Sequence, residues 1–307
     1  MTESALKRVM SASLANTNSG IMLAVAGAVA FSFKPILIKL IYAYGISTEV
    51  LMTLRMLFAL PLFLYVGWYS NSKKQSTTPV DKRVIFYAVL VGVLGYYGAA
   101  LLDLLGLQYI TAQFERMILF LFPTIVCLMS WVVFSERLSK RVFIALPLSY
   151  GGVVLVFLHD FDHFGSDAIR GSLLVFASAI CFSIYMLFSK PCINKLGSSA
   201  FTCIAMGAAS VVILGHFIAL NPLSSLVVPW QVLLLTFALG VGATAIPAFL
   251  ISAAIGRIGS SRISIIGSIG PIVTAMFAVM LLGEAFTLYH AAGMVLTLTG
   301  VVYLGRG

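Results

Sequence analysis

Charge is scarce in this chain: Asp, Glu, Lys and Arg make up only 9% of its 307 residues, against about 25% in ordinary soluble domains. That excludes a water-soluble globule, whose surface so few polar residues could not cover. Histidine and cysteine are rare too, at 4 each. Cys127, Cys181, Cys192 and Cys203 all fall inside apolar runs, where a thiol packs as a small hydrophobe. Neither a disulfide framework nor a metal-ligand spacing follows from them, and no metal site or cofactor is expected. The chain has no Gly-x-x-x-x-Gly-Lys-Ser/Thr phosphate loop, which excludes ATP hydrolysis by this chain; no ATPase subunit is required. The formal charge of +9 would suit a nucleic acid only as a patch on a folded, wet surface, and the pattern offers none.

The remainder is apolar, 61% hydrophobic with a mean hydropathy of +1.06. A helix crosses about 30 Å of hydrocarbon with roughly 20 apolar residues. Runs of that kind fall at about 20–43, 49–69, 84–106, 112–134, 142–158, 171–193, 199–220, 230–253, 263–282 and 286–304, predicting an all-α integral membrane protein of ten transmembrane helices. The polar stretch before them reads as an N-terminal tail, residues 1–19, and the first apolar run as a retained helix. Thirteen Lys and Arg residues lie at or between spans on one side and only Arg170 on the other, whose largest loop, 159–170, carries Asp160, Asp162 and Asp167 instead. Basic loops stay cytoplasmic, so both termini are expected in the cytoplasm of a bacterial inner membrane and 159–170 is expected as an external loop.

The sequence repeats itself. Gly20 to Ser32 matches Gly171 to Ser183 at an offset of 151, and at an offset of 148 Gly92 falls on Gly240, Pro123 on Pro271, Glu136 on Glu284 and Gly152 on Gly300. Scattered apolar composition does not place Pro, Glu and Gly in order at one offset, so 20–158 and 171–307 are expected as homologous halves. Each has five spans, an odd number, so the two insert in opposite senses. Inverted halves can exchange conformations and open a midplane site to either side in turn, which is a physical argument for transport of a small solute across the lipid bilayer.

The matched Pro123 and Pro271, each followed about a dozen residues on by a Glu in Phe-Ser-Glu136-Arg-Leu and Leu-Gly-Glu284-Ala, resemble the drug/metabolite transporter superfamily and its EamA-type ten-helix exporters. Within that group the chain is most similar to bacterial aromatic amino-acid exporters of the YddG type. The resemblance covers nearly the whole chain and implies a central cavity lined by spans 1 to 4 and 6 to 9, with efflux of aromatic and other neutral amino acids. Ser135 stands where the pattern has Gly, a departure that touches packing more than substrate.

Ionisable residues within spans are costly, and each is a candidate for function. Lys34, Lys39, Arg55, Asp103, Glu115 and Arg116 gather toward the outer ends of spans 1 to 4, suggesting an outer gate of ion pairs, while snorkelling explains Lys39 and Arg116 equally well. Lys190 aligns with Lys39 and is the inner counterpart, unless Lys190-Pro191 only marks a helix end. Phe182, Tyr185 and Ser189 share one helical face, with Ser32 and Lys34 on the matching span and Tyr96 and Tyr97 on span 3. These are candidate cavity-lining residues, offering an aromatic wall and polar anchors; ordinary packing is the competing reading. Pro123 and Pro271 suggest paired kinks. Glu136 and Glu284 precede the next span and suit capping of its N-terminus. An intramembrane enzyme would need a nucleophile with its base or clustered metal ligands, and the dispersed histidines argue against it. A channel would need a continuous polar pore, which these spans do not suggest.

Overall fold

The computed structural model describes residues 3–72, 81–135, 138–258 and 266–305. Among the described residues nine helices are long and apolar enough to cross a membrane and a tenth is shorter: α1 (Asn18–Tyr42), α2 (Thr48–Gly67), α3 (Lys82–Gly106), α4 (Ala112–Phe134), α5 (Val142–Asp162), α6 (Ser166–Leu196), α7 (Ala200–Leu220), α8 (Trp230–Ile251), the shorter α9 (Ile269–Leu282) and α10 (Leu288–Gly305). Helix is the necessary form, because hydrocarbon offers no partner for a backbone amide or carbonyl. Met22, Leu64, Trp131, Val132, Phe143, Leu173 and Val211 point outward, where lipid rather than water receives them. We call the face where α1 begins the terminal face and that of the α1–α2 turn the distal face.

The two halves pack as images of one another. Gly20 of α1 lies against the side chains of Arg257 and Ile258 beyond α8, and Gly171 of α6 lies against those of Tyr109 and Ile110 beyond α3. The Ser32 hydroxyl donates to the Gly270 carbonyl at 3.1 Å, and its counterpart Ser183 donates to the Phe122 carbonyl at 3.3 Å. Gly152 of α5 faces Gly293 and Thr297 of α10, while Gly300 faces Ala145 and Ser149. Each pair becomes the other when the halves are exchanged at offsets of 151 and 148. That reciprocity belongs to a two-fold axis relating inverted repeats.

Two four-helix units follow from these contacts. Helix α8 packs on α1 and α2, with α9 on α1; α3 packs on α6 and α7, with α4 on α6. The units meet along α2–α7 and α4–α9, and α5 with α10 forms a separate pair. Helix α3 widens to a π-helix at Leu94–Gly98 and α8 at Ala238–Ala245, which overlap at the repeat offset. Helix α1 breaks at Phe33 ahead of Pro35, α4 at Phe120–Leu121 ahead of Pro123, and α9 at Ser268 ahead of Pro271. Proline lacks the amide and fits the first turn of a new helix.

Four sequence expectations change. The tail is helical from Glu3, continuous with α1. The segment 159–170 is a tight turn, not a loop: one helix runs to Phe164 and the next starts at Ser166, joined by Gly165 at φ 55°, ψ −130°. Polar residues ended the apolar count there, but a helix satisfies its backbone equally well beyond the hydrocarbon. Pro191 does not end its helix, which continues to Leu196. Finally, Glu284 caps α4 rather than α10, its own following span: the backbone amides of Ala112 and Gln113 donate to its carboxylate at 2.7 and 3.3 Å. Gly283, at φ 67°, turns the chain so that the carboxylate reaches the free amides of a helix in the other half. Its repeat partner Glu136 lies outside the described residues.

Ser135 occupies the position of Gly283 and also sits in the left-handed region, at φ 54°. A side chain there costs about 1–2 kcal/mol relative to glycine. Ser135→Gly should therefore raise the melting temperature of the detergent-purified protein; an unchanged or lowered value would contradict this account.

Candidate functional site

The ionisable residues of α1 to α4 converge in the distal half. Lys34 Nζ on α1 lies 2.6 Å from Asp103 Oδ2 on α3. Arg116, on the first turns of α4, donates to the Phe31 carbonyl of α1 at 3.1 Å, and its Nε lies 3.8 Å from Glu115 Oε2. Glu115 is fully buried, and no hydrogen-bond donor reaches either of its oxygens. It faces Asp103, whose Oδ1 is equally without a donor. Arg55 is buried nearby on α2, with Asp103 and Tyr42 as the groups that act on it. Lys39 lies within the influence of Glu284 and Glu115 and lines a shallow distal depression with Tyr42, Ile46, Leu107 and Gln108.

These bonds cross from one four-helix unit to the other. The Lys34–Asp103 pair does so, as does the Tyr42 hydroxyl, which donates to the Leu104 carbonyl at 2.8 Å. The Gln108 side-chain amide donates to Thr48 Oγ1 at 2.7 Å, and that of Gln113 to the Ala285 carbonyl at 3.3 Å. With the Glu284 cap, they tie α1, α2 and the end of α9 to α3 and α4. All of these bonds span the two units on the distal face. Tyr42, Thr48, Gln108 and Gln113 were not singled out from sequence, because uncharged polar residues at span ends are ordinary there; only their cross-unit partners mark them.

Toward the middle and the terminal face, aromatic rings replace charges. Tyr96 and Tyr185 share a hydrogen bond between hydroxyls at 2.9 Å. Phe182 packs edge-on to Phe122 at 5.4 Å and lies 5.8 Å from Tyr185, which stacks on Phe201 at 6.1 Å. The Gly95 backbone sits directly on the Tyr185 ring. Tyr97 points elsewhere, to His216 Nδ1 at 3.1 Å, because consecutive residues on a helix face different neighbours. Ser32, 1% exposed, has its hydroxyl committed to Ala28 and Gly270 carbonyls. Ser189 donates to the Met186 carbonyl at 3.1 Å, and Lys190 is exposed near the terminal face.

The repeat exposes an asymmetry in this site. At the same offsets, Lys34 corresponds to Tyr185, Asp103 to Ile251, Glu115 to Ile263 and Arg116 to Ser264. One backbone plan thus carries the Lys34–Asp103 pair on the distal side and Tyr185 and Ile251 at the matching positions of the other half. Among the described residues, the fold also brings together His159, Asp160 and His290 at the distal ends of α5 and α10. Their separation of more than a hundred positions in sequence hid this from spacing, and the expectation of no metal site was drawn without it.

Comparison with known proteins agrees with the inverted architecture. A solved structure shares the fold with a TM-score of 0.60 at 19% identity, covering 93% of this chain and 97% of that one. The uncharacterized transporter YcbK of Bacillus subtilis is 26% identical over 93% of each chain, and the uncharacterized transporter sll1319 of Synechocystis is 23% identical over 95% of this chain and 94% of its own. The profile of the EamA-like transporter family matches twice, at residues 18–158 and again at 169–306. With both matches falling on the two inverted halves, the chain belongs to the EamA-like transporter family.

Proposed function

We propose that this protein is a secondary exporter of small amphipathic metabolites, with aromatic and other neutral amino acids as substrates, working by alternating access between its two four-helix units. The observation that carries the reading is the Lys34–Asp103 pair, which joins the units on one face of a pseudo-symmetric scaffold whose matching positions hold Tyr185 and Ile251. Rocking one unit against the other breaks this closure and hydrates its charges, while the opposite face closes through uncharged side chains. The bias of Lys and Arg supports a cytoplasmic terminal face and an external charged closure. The aromatic cluster of Phe122, Phe182, Tyr96 and Tyr185 offers a wall for an apolar side chain and ring faces for an ammonium group.

Asp103 and Glu115 supply the coupling in this reading. Two facing carboxyls, with Lys34 donating to Asp103 Oδ2 and no donor on the other three oxygens, are a place to hold one proton, which opening to the outside loads and opening to the inside releases in exchange for exported substrate. The test is movement of phenylalanine, tryptophan, methionine and threonine in proteoliposomes, with and without a pH gradient. Wild-type protein should transport, faster with the gradient, and Glu115→Gln should lose that acceleration while retaining substrate exchange. Failure of all four amino acids to move would sink the substrate assignment. Transport indifferent to the gradient would make the protein a facilitator. Movement of a different small metabolite or drug in the same assay is the competing outcome.

A further inference from the structure

Helices α5 and α10 stand outside both four-helix units, and the closure described above makes no use of them. Their distal ends nonetheless assemble three ligand-type side chains. One ligand atom each of His159, Asp160 and His290 lies within 4.8 Å of the others. Asp160 and His290 are both 3% exposed, and burying such groups in a membrane protein is costly unless they are engaged. His290 Nε2 is 3.3 Å from Asp160 Oδ1, yet the two are not aligned as a hydrogen bond, and Asp160 Oδ2 has no donor either.

Adjacent polar atoms that fail to point at each other can instead point at a shared third position. An ion about 2.1 Å from each of two tetrahedral ligands holds them roughly 3.4 Å apart, close to the separation seen. His159 is oriented by its surroundings, stacked on Tyr289 at 4.8 Å and edge-on to His290 at 5.4 Å. It is only partly buried, which gives the site an opening to the distal side. The Thr287 hydroxyl lies 2.8 Å from His290 Nδ1. The Thr287 backbone amide also donates to Nδ1, at 3.3 Å, so these two groups fix the ring with Nε2 toward Asp160; coordination through Nε2 moves the ring proton to Nδ1, where the Thr287 hydroxyl accepts it in place of the amide bond.

We infer that His159, Asp160 and His290 form a binding site for a divalent transition ion of the zinc type at the distal end of α5 and α10. Two imidazole nitrogens and one carboxylate are a three-ligand zinc set, with water completing a tetrahedron. The ion links the last span of each half, since His159 and Asp160 belong to α5 and His290 to α10. It acts as a clamp on the helix pair; it is not cargo, because the site lies away from the closure formed by α1 to α4.

The test uses the full chain, tag-free, purified in detergent, stripped with chelator and titrated with Zn2+ alone by calorimetry. One ion per chain is expected, with a higher melting temperature on loading. Asp160→Asn and His159→Ala should each weaken binding by more than about a hundredfold, beyond the loss typical of outer-shell changes, and abolish the thermal shift. His159→Ala, at the partly exposed position, guards against a variant that simply fails to fold. Co2+ in place of Zn2+ should give the visible absorption of a tetrahedral site in the wild type only. No saturable binding by the wild type, or equal binding by both variants, would overturn the assignment. It stands apart from the transport reading, since amino-acid movement is measured without added metal.

Discussion

Asp103→Ala should destabilise the folded protein by about 3–5 kcal/mol, the usual cost of removing one partner from a buried ion pair. The Lys34 ammonium sits 2.6 Å from the Asp103 carboxylate, and the buried Arg55 depends on the same anion. Alanine leaves Lys34 unpaired and removes the carboxylate that acts on Arg55 and Arg116. The pair itself is a weak source of stability, because both charges were taken out of water to make it. Lys34→Met combined with Asp103→Leu should therefore recover the Lys34 share of the loss in a melting experiment but not the share due to Arg55, while transport stays impaired because the closure can no longer respond to hydration. Single variants melting like the wild type would remove the closure from the account.

The second large effect separates two neighbouring glycines. Gly152 faces the backbone of α10, where an added Cβ would meet the Thr297 amide nitrogen at 2.8 Å, and the Gly293 carbonyl lies closer still. Gly151, one position earlier, has nothing within 4 Å. Overpacking commonly costs about 1–3 kcal/mol when side chains can shift; here the obstacle is helical backbone, which cannot. Gly152→Leu should thus lose the α5–α10 pairing and the yield of folded protein, and Gly151→Leu should be accepted at the lipid face. The comparison is read from monodisperse protein recovered in detergent and its melting temperature. Equal behaviour of the two variants would mean that α5 and α10 do not pack as described.

Much of the architecture was legible before any coordinates, for reasons that can be named. Hydrocarbon demands about 20 apolar residues per helix, and homologous halves leave Pro, Glu and Gly at fixed offsets, so the spans and their inverted duplication follow from counting. Gathering Lys34, Asp103, Glu115 and Arg116 toward one end required only the alternating direction of successive spans. Partners were harder. Glu284 was expected to serve the helix after it, because capping is normally local, but Gly283 redirects it to Ala112 and Gln113 in the other half. Tyr96 and Tyr97 were both read as candidate cavity-lining residues, and the structure gives one to Tyr185 and the other to His216.

By itself, then, the sequence determined that this is a ten-span membrane protein built from inverted halves, because solvent and ancestry both act on residue type and order along the chain. Only the tertiary structure decided that Lys34 pairs with Asp103 across two four-helix units, and that His159, Asp160 and His290 meet across α5 and α10. Those facts depend on distances between segments far apart in sequence. Helix packing through small residues such as Gly106 and Gly171, whose backbones touch across α3 and α6, sets those distances, and no local pattern encodes them.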